Sequence, residues 1–187
     1  MIALGLWLHN TNAQSQLSME QYYYVGGSAA LNPTPIASFQ MNSGFYAEGR
    51  YNYEDVNTFS LYMGKTFAKE SKLSYSVSAM AGAVIGNLNG GSLAANISIG
   101  YKNFYLFSQP QYTFSLENSV NNYTYHWTDL TYSPLDWLSL GLSVQHTKPH
   151  YSGSSLEKGI VAEIAYKKWS FPVYAFSPQN SDRYFGD

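Results

Sequence analysis

Three residues in the last quarter of the chain are of the types that carry out nucleophilic acyl transfer: His150, Ser152 and Glu163. In such chemistry His150 would take the proton of the Ser152 hydroxyl, and Glu163 would orient the imidazole ring. Pro149 and the Ser/Gly run at 152–155 instead indicate a flexible loop, which is a poor support for a catalytic triad. We therefore expect no enzyme, and an acyl hydrolase built on these three residues stays the alternative.

A second group of polar residues has strand spacing and shares one face. Glu48, Arg50 and Asn52 alternate with Tyr51 and Tyr53, whose face is expected to contact lipid. A charge that faces mid-bilayer lipid costs about 2–4 kcal/mol, so the charged face is predicted to line a lumen. There Glu48 and Arg50 are expected to satisfy each other as an ion pair. A constriction that selects permeants is the functional alternative.

Two further polar residues are predicted to be luminal. His126 shares a strand face with Thr124 and Thr128. For its imidazole, a hydrogen bond to a luminal hydroxyl is favoured over metal binding. Glu163 is expected on the inner face of its own strand. Asp129 falls on an aromatic strand face. Either a bulge turns its side chain inward, or the residue lies at the lipid interface. The few His residues and the absence of Cys do not match a zinc site, and neither a metal nor a cofactor is expected.

Period-two alternation runs through the chain and predicts the β-strands that hold these residues. Opposite the apolar positions stand mostly Ser, Gly, Asn and Gln, which is typical of a crowded barrel lumen rather than a solvent-exposed sheet face. Most charges, such as Glu54 and Asp55, fall in the predicted connections. Tight turns alternate with longer loops, as in outer-membrane barrels, and the tight turns are expected to be periplasmic. The turn signals predict strands near 20–30, 34–41, 44–54, 57–68, 72–86, 91–102, 103–116, 121–132, 136–147, 156–167 and 168–177.

Composition supports a membrane barrel. Charged residues make up only 12% of the 187 residues, against about 25% in typical soluble domains. Aromatics reach 17% while the mean hydropathy is −0.25, a combination expected when one strand face contacts lipid and the other lines a polar interior. The net charge of −2 gives no basic field for nucleic acid, and the absence of Cys excludes disulfides and thiolate metal sites.

Residues 1–13 are predicted to be the remnant of a secretory signal peptide. Residues 2–8 are apolar but too few to span a bilayer, and residues 11–13 form a small-x-small cleavage pattern. A short buried strand is the alternative. The barrel domain would then span 14–187, where an even strand number requires either an irregular loop at 31–43 or a missing final strand.

Two segments carry a resemblance to a known family. YAEGRYNYEDVNTFSLYMGKTF, at 46–67, and WTDLTYSPLDWLSLGLSVQHTK, at 127–148, resemble uncharacterised outer-membrane β-barrel proteins of the Bacteroidetes type. This resemblance implies location and fold but no established activity. The His-x-Ser spacing at 150–152 is similar to that of lipid A 3-O-deacylases, but the remainder of the chain does not match that family.

The sequence thus predicts an all-β protein: a transmembrane, antiparallel, up-and-down β-barrel of about 10–12 strands in the cell outer membrane. We expect a narrow pore or a structural envelope component that contacts outer-membrane lipid and has other envelope proteins as candidate partners. The alternatives are an outer-membrane lipid (lipid A-type) acyl hydrolase and a soluble, lipocalin-like periplasmic binding protein with its apolar face inside.

Overall fold

The computed structural model describes residues 2–12, 15–25, 32–151 and 153–178, with side chains for 15–25, 32–151 and 153–176. Twelve strands follow one another in this part of the chain. They are β1 Ile2–Asn12, β2 Ser15–Val25, β3 Pro33–Met41, β4 Phe45–Tyr51, β5 Thr58–Lys69, β6 Leu73–Gly86, β7 Gly90–Tyr101, β8 Phe104–Ser115, β9 Tyr123–Leu135, β10 Leu138–Pro149, β11 Ser155–Tyr166 and β12 Trp169–Pro178.

Each strand pairs antiparallel with its neighbours in sequence, and β1 pairs with β12, so that the described strands close into a barrel. The predicted all-β, antiparallel, up-and-down arrangement is confirmed. The only helical segment in the described ranges is a 3-10 turn, Ser119–Asn121. A helix with the length and apolarity needed to cross a bilayer does not occur among the described residues.

Strand β1 consists of residues predicted to be the remnant of a secretory signal peptide. Leu4 pairs with Tyr23 of β2 and with Val173 of β12, so the segment has a strand conformation, as in the alternative prediction. With β1 included the strand number is even, and Pro33–Met41 is a regular strand rather than part of an irregular loop. Cleavage of residues 1–13 stays a prediction, which N-terminal sequencing of the mature protein checks.

The connections differ between the two ends of the barrel. At one end, called the turn end, the described connections are short: 42–44, 70–72, 102–103, 136–137 and 167–168. At the other, called the loop end, they are mostly longer, as at 52–57, 116–122 and 150–154. This separation was predicted from the turn signals. Strand β1 starts and β12 finishes at the loop end, since each odd strand runs from the loop end to the turn end.

Burial follows the alternation of the sequence. In β5, Ser60 and Tyr62 point into the lumen and are 0% exposed, whereas Leu61 and Met63 point outward and are 44% and 56% exposed. The same alternation holds over β6, β7, β10 and β11. Among the described residues, polar and charged side chains outnumber hydrophobic ones in the interior, while large hydrophobic side chains cover the outside. This distribution is the reverse of that in a soluble protein, where charged residues are almost never fully buried.

Candidate functional site

The charged residue with the smallest exposed fraction in the described lumen is Arg50, on β4, which is 1% exposed. Its Nε donates to Glu48 Oε1 at 2.5 Å. Its Nη1 donates to Gln111 Oε1 at 2.8 Å and to Glu54 Oε1 at 3.4 Å. Glu48 and Arg50 therefore form the luminal ion pair that was predicted, and a second carboxylate shares the guanidinium charge.

Two tyrosine rings enclose the Arg50 guanidinium. Its Cζ lies 4.5 Å from the centroid of the Tyr53 ring and 4.4 Å from that of Tyr62. The Tyr62 ring lies against Gly82, its register partner on β6, where an added Cβ would be only 2.6 Å from Tyr62 Cδ1. The absence of a side chain at Gly82 thus lets the ring lie flat on the barrel wall, and the rings add cation–π attraction to the ion pairs.

Glu54 is a luminal residue that sequence reasoning missed. It was expected in a connection, and it does lie between β4 and β5, but its side chain is fully buried. It accepts hydrogen bonds from Ser60 Oγ at 2.6 Å and from Tyr62 OH at 2.7 Å. Tyr123 OH donates to the Glu54 carbonyl at 3.1 Å. The loop 52–57 is therefore folded into the barrel, and a charge pattern that marks a connection does not reveal this.

Asn52, predicted to line the lumen, instead braces this loop. Both Asn52 and Asn57 have a positive φ, 56° and 53°, which asparagine tolerates better than most residues. Asn52 Nδ2 donates to the Pro33 carbonyl at 3.0 Å, and Asn52 Oδ1 accepts from the Asn57 backbone N–H at 2.8 Å. The strand alternation stops at Tyr51, so it could not predict the direction of Asn52.

Tyr53 was expected on the lipid face. It is luminal instead, because the strand alternation stops at Tyr51. Its hydroxyl donates to Gln109 Oε1 at 2.5 Å. Gln109 Nε2 donates to Asn96 Oδ1 at 2.8 Å, and Asn96 Nδ2 donates to Glu48 at 3.0 Å. Tyr46 OH also donates to Glu48. Burial raises the pKa of Tyr53 well above that of an exposed tyrosine, which keeps its hydroxyl a donor.

The network thus spans β4, β5, β7, β8 and the loop 52–57, and we call it the Arg50 network. A signal for its β8 members was present in the sequence, because Gln109, Gln111 and Thr113 alternate at period two. All three are buried.

The opposite side of the lumen holds an aromatic cluster. The Trp127 ring, 3% exposed, lies with its centroid 5.4 Å from that of Tyr22 and 5.2 Å from that of Tyr174. Tyr174 stacks on Phe176 at 5.9 Å. These four side chains, together with Ile36 and Val161, form a single buried group. We call it the Trp127 cluster.

Asp129 lies at the edge of this cluster, and its carboxylate is fully engaged. It accepts from Trp127 Nε1 at 2.8 Å, Ser143 Oγ at 2.6 Å and Tyr174 OH at 3.0 Å. The inward alternative of the sequence analysis is thus realised, without a bulge at this residue: the register of β9 with β8 and β10 is continuous around Asp129.

His126, predicted to be luminal, lies on the outer face of β9. It is exposed, and its Nε2 hydrogen-bonds Ser108 Oγ at 2.8 Å and Thr128 Oγ1 at 3.2 Å. The correction has the same cause as the inward position of Asp129. The prediction assumes that the aromatic face of β9 contacts lipid. The rings of that face instead fill the lumen, and alternation then places His126 outside.

The residues of the candidate triad are not brought together where the structure describes them. Glu163 is luminal, as predicted, and accepts from Ser170 Oγ. His150 is exposed in the loop before Ser155, where it packs on the Tyr151 ring at 4.4 Å. Glu163 is eight residues further along β11 than Ser155, roughly 26 Å at about 3.3 Å per residue. Ser152 lies outside the described residues.

The Arg50 network and the Trp127 cluster meet at Tyr53, which packs against the cluster. Both also line a cavity of about 160 Å³, with Tyr53 and Glu48 from the network and Tyr22, Trp127 and Tyr174 from the cluster. Gln16 and Gln40, which are register partners on β2 and β3, line it towards the turn end. The described residues contain no group of three or more His, Asp or Glu side chains arranged to hold a metal ion.

Comparison with known proteins gives no relative: no protein-family model, no curated protein and no solved structure matches this chain.

Proposed function

We propose that the chain is an integral outer-membrane β-barrel that serves as a structural component of the cell envelope, with a lumen closed by its own side chains. The observation that carries the proposal is the reversed distribution of polarity: charged and polar groups are buried inside, and large apolar side chains cover the outside. A bilayer is the solvent that stabilises such a surface, because each buried apolar group is then removed from water.

The contents of the lumen favour a closed barrel over a pore. A barrel of eight strands is filled by ordinary side chains, and wider barrels leave room for a channel. In this wider barrel the space is occupied by the loop 52–57, the Arg50 network and the Trp127 cluster. An ion that crossed the lumen would have to displace Tyr53, whose ring lies on Arg50 and whose hydroxyl is bonded to Gln109.

The other candidate functions have less support. A soluble lipocalin-like protein needs a polar exterior, whereas the strands here present residues such as Met63, Leu142 and Ile160 outward. A lipid acyl hydrolase needs His150 and Glu163 at one site, and these lie at the loop end and inside the lumen respectively.

Membrane insertion is tested by fractionation of cells that express the full chain. We expect the protein in the outer-membrane fraction, released only by detergent, and with a heat-modifiable migration on gels that is typical of folded barrels. Free protein in the periplasmic extract would overturn the proposal.

The closed lumen is tested separately, by conductance in planar bilayers. We expect no steady conductance from the wild type and a small ohmic conductance from Tyr53→Ala, which removes the ring next to the cavity. Tyr51→Ala is the matched control, since Tyr51 is exposed on the outer face. A conducting wild type would favour the narrow-pore alternative, and a silent Tyr53→Ala would contradict the closing role of Tyr53.

A further inference from the structure

The described side chains that line the luminal cavity carry an excess of negative charge. Three carboxyl groups line it: Glu20, Glu48 and Asp129. Of these, Glu48 is paired with Arg50, whose charge is already shared with Glu54. No Lys, Arg or His of the described chain forms an ion pair with Glu20 or Asp129.

Glu20 is the carboxyl group with the greatest capacity left for a ligand. One of its oxygens accepts from Tyr22 OH at 3.0 Å, which is the single hydrogen bond that the described side chains make to it. By contrast, Asp129 accepts hydrogen bonds from three donors, and Glu48 accepts hydrogen bonds from three side chains. A carboxylate accepts at about four lone-pair sites, so most of the negative charge of Glu20 is left to face a cation in the cavity.

Aromatic rings form part of the cavity wall, next to neutral polar side chains. The rings include those of Tyr22, Tyr53, Tyr105, Trp127 and Tyr174. Aromatic faces carry negative electrostatic potential and attract cations within about 6 Å of the ring centroid, most strongly ammonium groups that are poorly hydrated. Rings combined with a carboxylate that no described cation pairs with form the type of site that binds alkylammonium compounds.

The volume sets the size of the ligand. An apolar cavity of about 150 Å³ takes up benzene. At about 160 Å³ this cavity has room for a small quaternary ammonium head and not for a peptide or an oligosaccharide.

We propose that the luminal cavity is a binding site for a small organic cation of the alkylammonium class, with Glu20 as its counter-ion and Trp127 as its main aromatic wall. The site is independent of whether the barrel conducts, because it requires only the folded lumen.

The experiment is calorimetric titration of the full chain, folded in a non-ionic maltoside detergent, with choline and with its neutral carbon isostere 3,3-dimethylbutanol. We expect choline to bind and the isostere to bind about tenfold more weakly or not at all, since only choline gains the charge interactions. Equal binding of the two compounds, or no binding of choline, would overturn the proposal.

Two variants locate the site. Glu20→Gln keeps the shape and removes the charge, and it should weaken choline binding about tenfold. Glu70→Gln is the matched control, because Glu70 is exposed in the turn between β5 and β6 and should leave binding unchanged. Heat-modifiable migration of each variant shows that it is folded. Choline binding that persists in folded Glu20→Gln would contradict the assignment, whereas failure of membrane insertion in cells would affect only the proposed function.

Discussion

The two sides of the lumen are filled by different kinds of interaction. The Arg50 network consists of charges and hydrogen bonds, in which a single guanidinium contacts two carboxylates, one amide and two rings. The Trp127 cluster consists of packed rings, and a charge at its edge, Asp129, is held by neutral donors. A network of charges depends on every partner, whereas a packed cluster loses stability in proportion to the contacts removed. Truncation of a central residue in each group tests this difference.

The largest effect is expected at the centre of the Arg50 network. Arg50→Ala leaves Glu48 and Glu54 buried without their cation, and removal of one partner from a buried ion pair typically costs about 3–5 kcal/mol. The measurement is urea unfolding of the barrel in detergent micelles, followed by far-ultraviolet circular dichroism. Lys72→Ala, at an exposed turn residue, is the control. If Arg50→Ala lowers the free energy of unfolding as little as the control does, the buried carboxylates need no cation.

A smaller effect is expected at the centre of the aromatic cluster. Trp127→Ala should reduce the free energy of unfolding by about 3 kcal/mol, the lower part of the range for such truncations. Trp127 borders an existing cavity, so fewer of its contacts are with packed neighbours. The same unfolding assay applies, with Trp137→Ala as control because Trp137 is 52% exposed. If Trp127→Ala proves more damaging than Arg50→Ala, the packed side dominates stability and the comparison is reversed.

The smallest effect on stability is expected at Gly82, where the barrel wall supports the Tyr62 ring of the Arg50 network. Gly82→Ala would place a Cβ 2.6 Å from the Tyr62 ring and 2.7 Å from the Leu61 carbonyl oxygen. The strand and the ring must both shift, at a cost of about 1–2 kcal/mol that is typical of overpacking. Gly153→Ala is the matched control, since its Cβ would meet no atom within 4 Å. Equal stability of the two variants would show that Tyr62 does not depend on a bare glycine.

Much of the fold was predictable because alternation depends only on local geometry. The two faces of β5, β6, β7, β10 and β11 follow from the period-two patterns, and the burial agrees with them. The pairing of Glu48 with Arg50 was predictable as well, because two opposite charges on one strand face need each other in a buried lumen. These inferences require no knowledge of which strands meet across the barrel.

The errors occurred where alternation does not determine which side is inside. The aromatic face of β9 suits either an interfacial girdle or a filled lumen, and the wrong choice placed His126 inside. The direction of Tyr53, Glu54 and Asn52 depends on a loop whose backbone leaves the strand geometry at Asn52.

The sequence by itself determined that the chain forms strands with one apolar and one polar face, because successive side chains point to opposite sides of a strand. Only the tertiary structure decided how the interior is filled. Closure of β1 on β12 sets the width of the lumen, and that width determines whether large rings and the loop 52–57 fit inside. The contact of Arg50 with Gln111, 61 residues later in the chain, exists only once the barrel is closed.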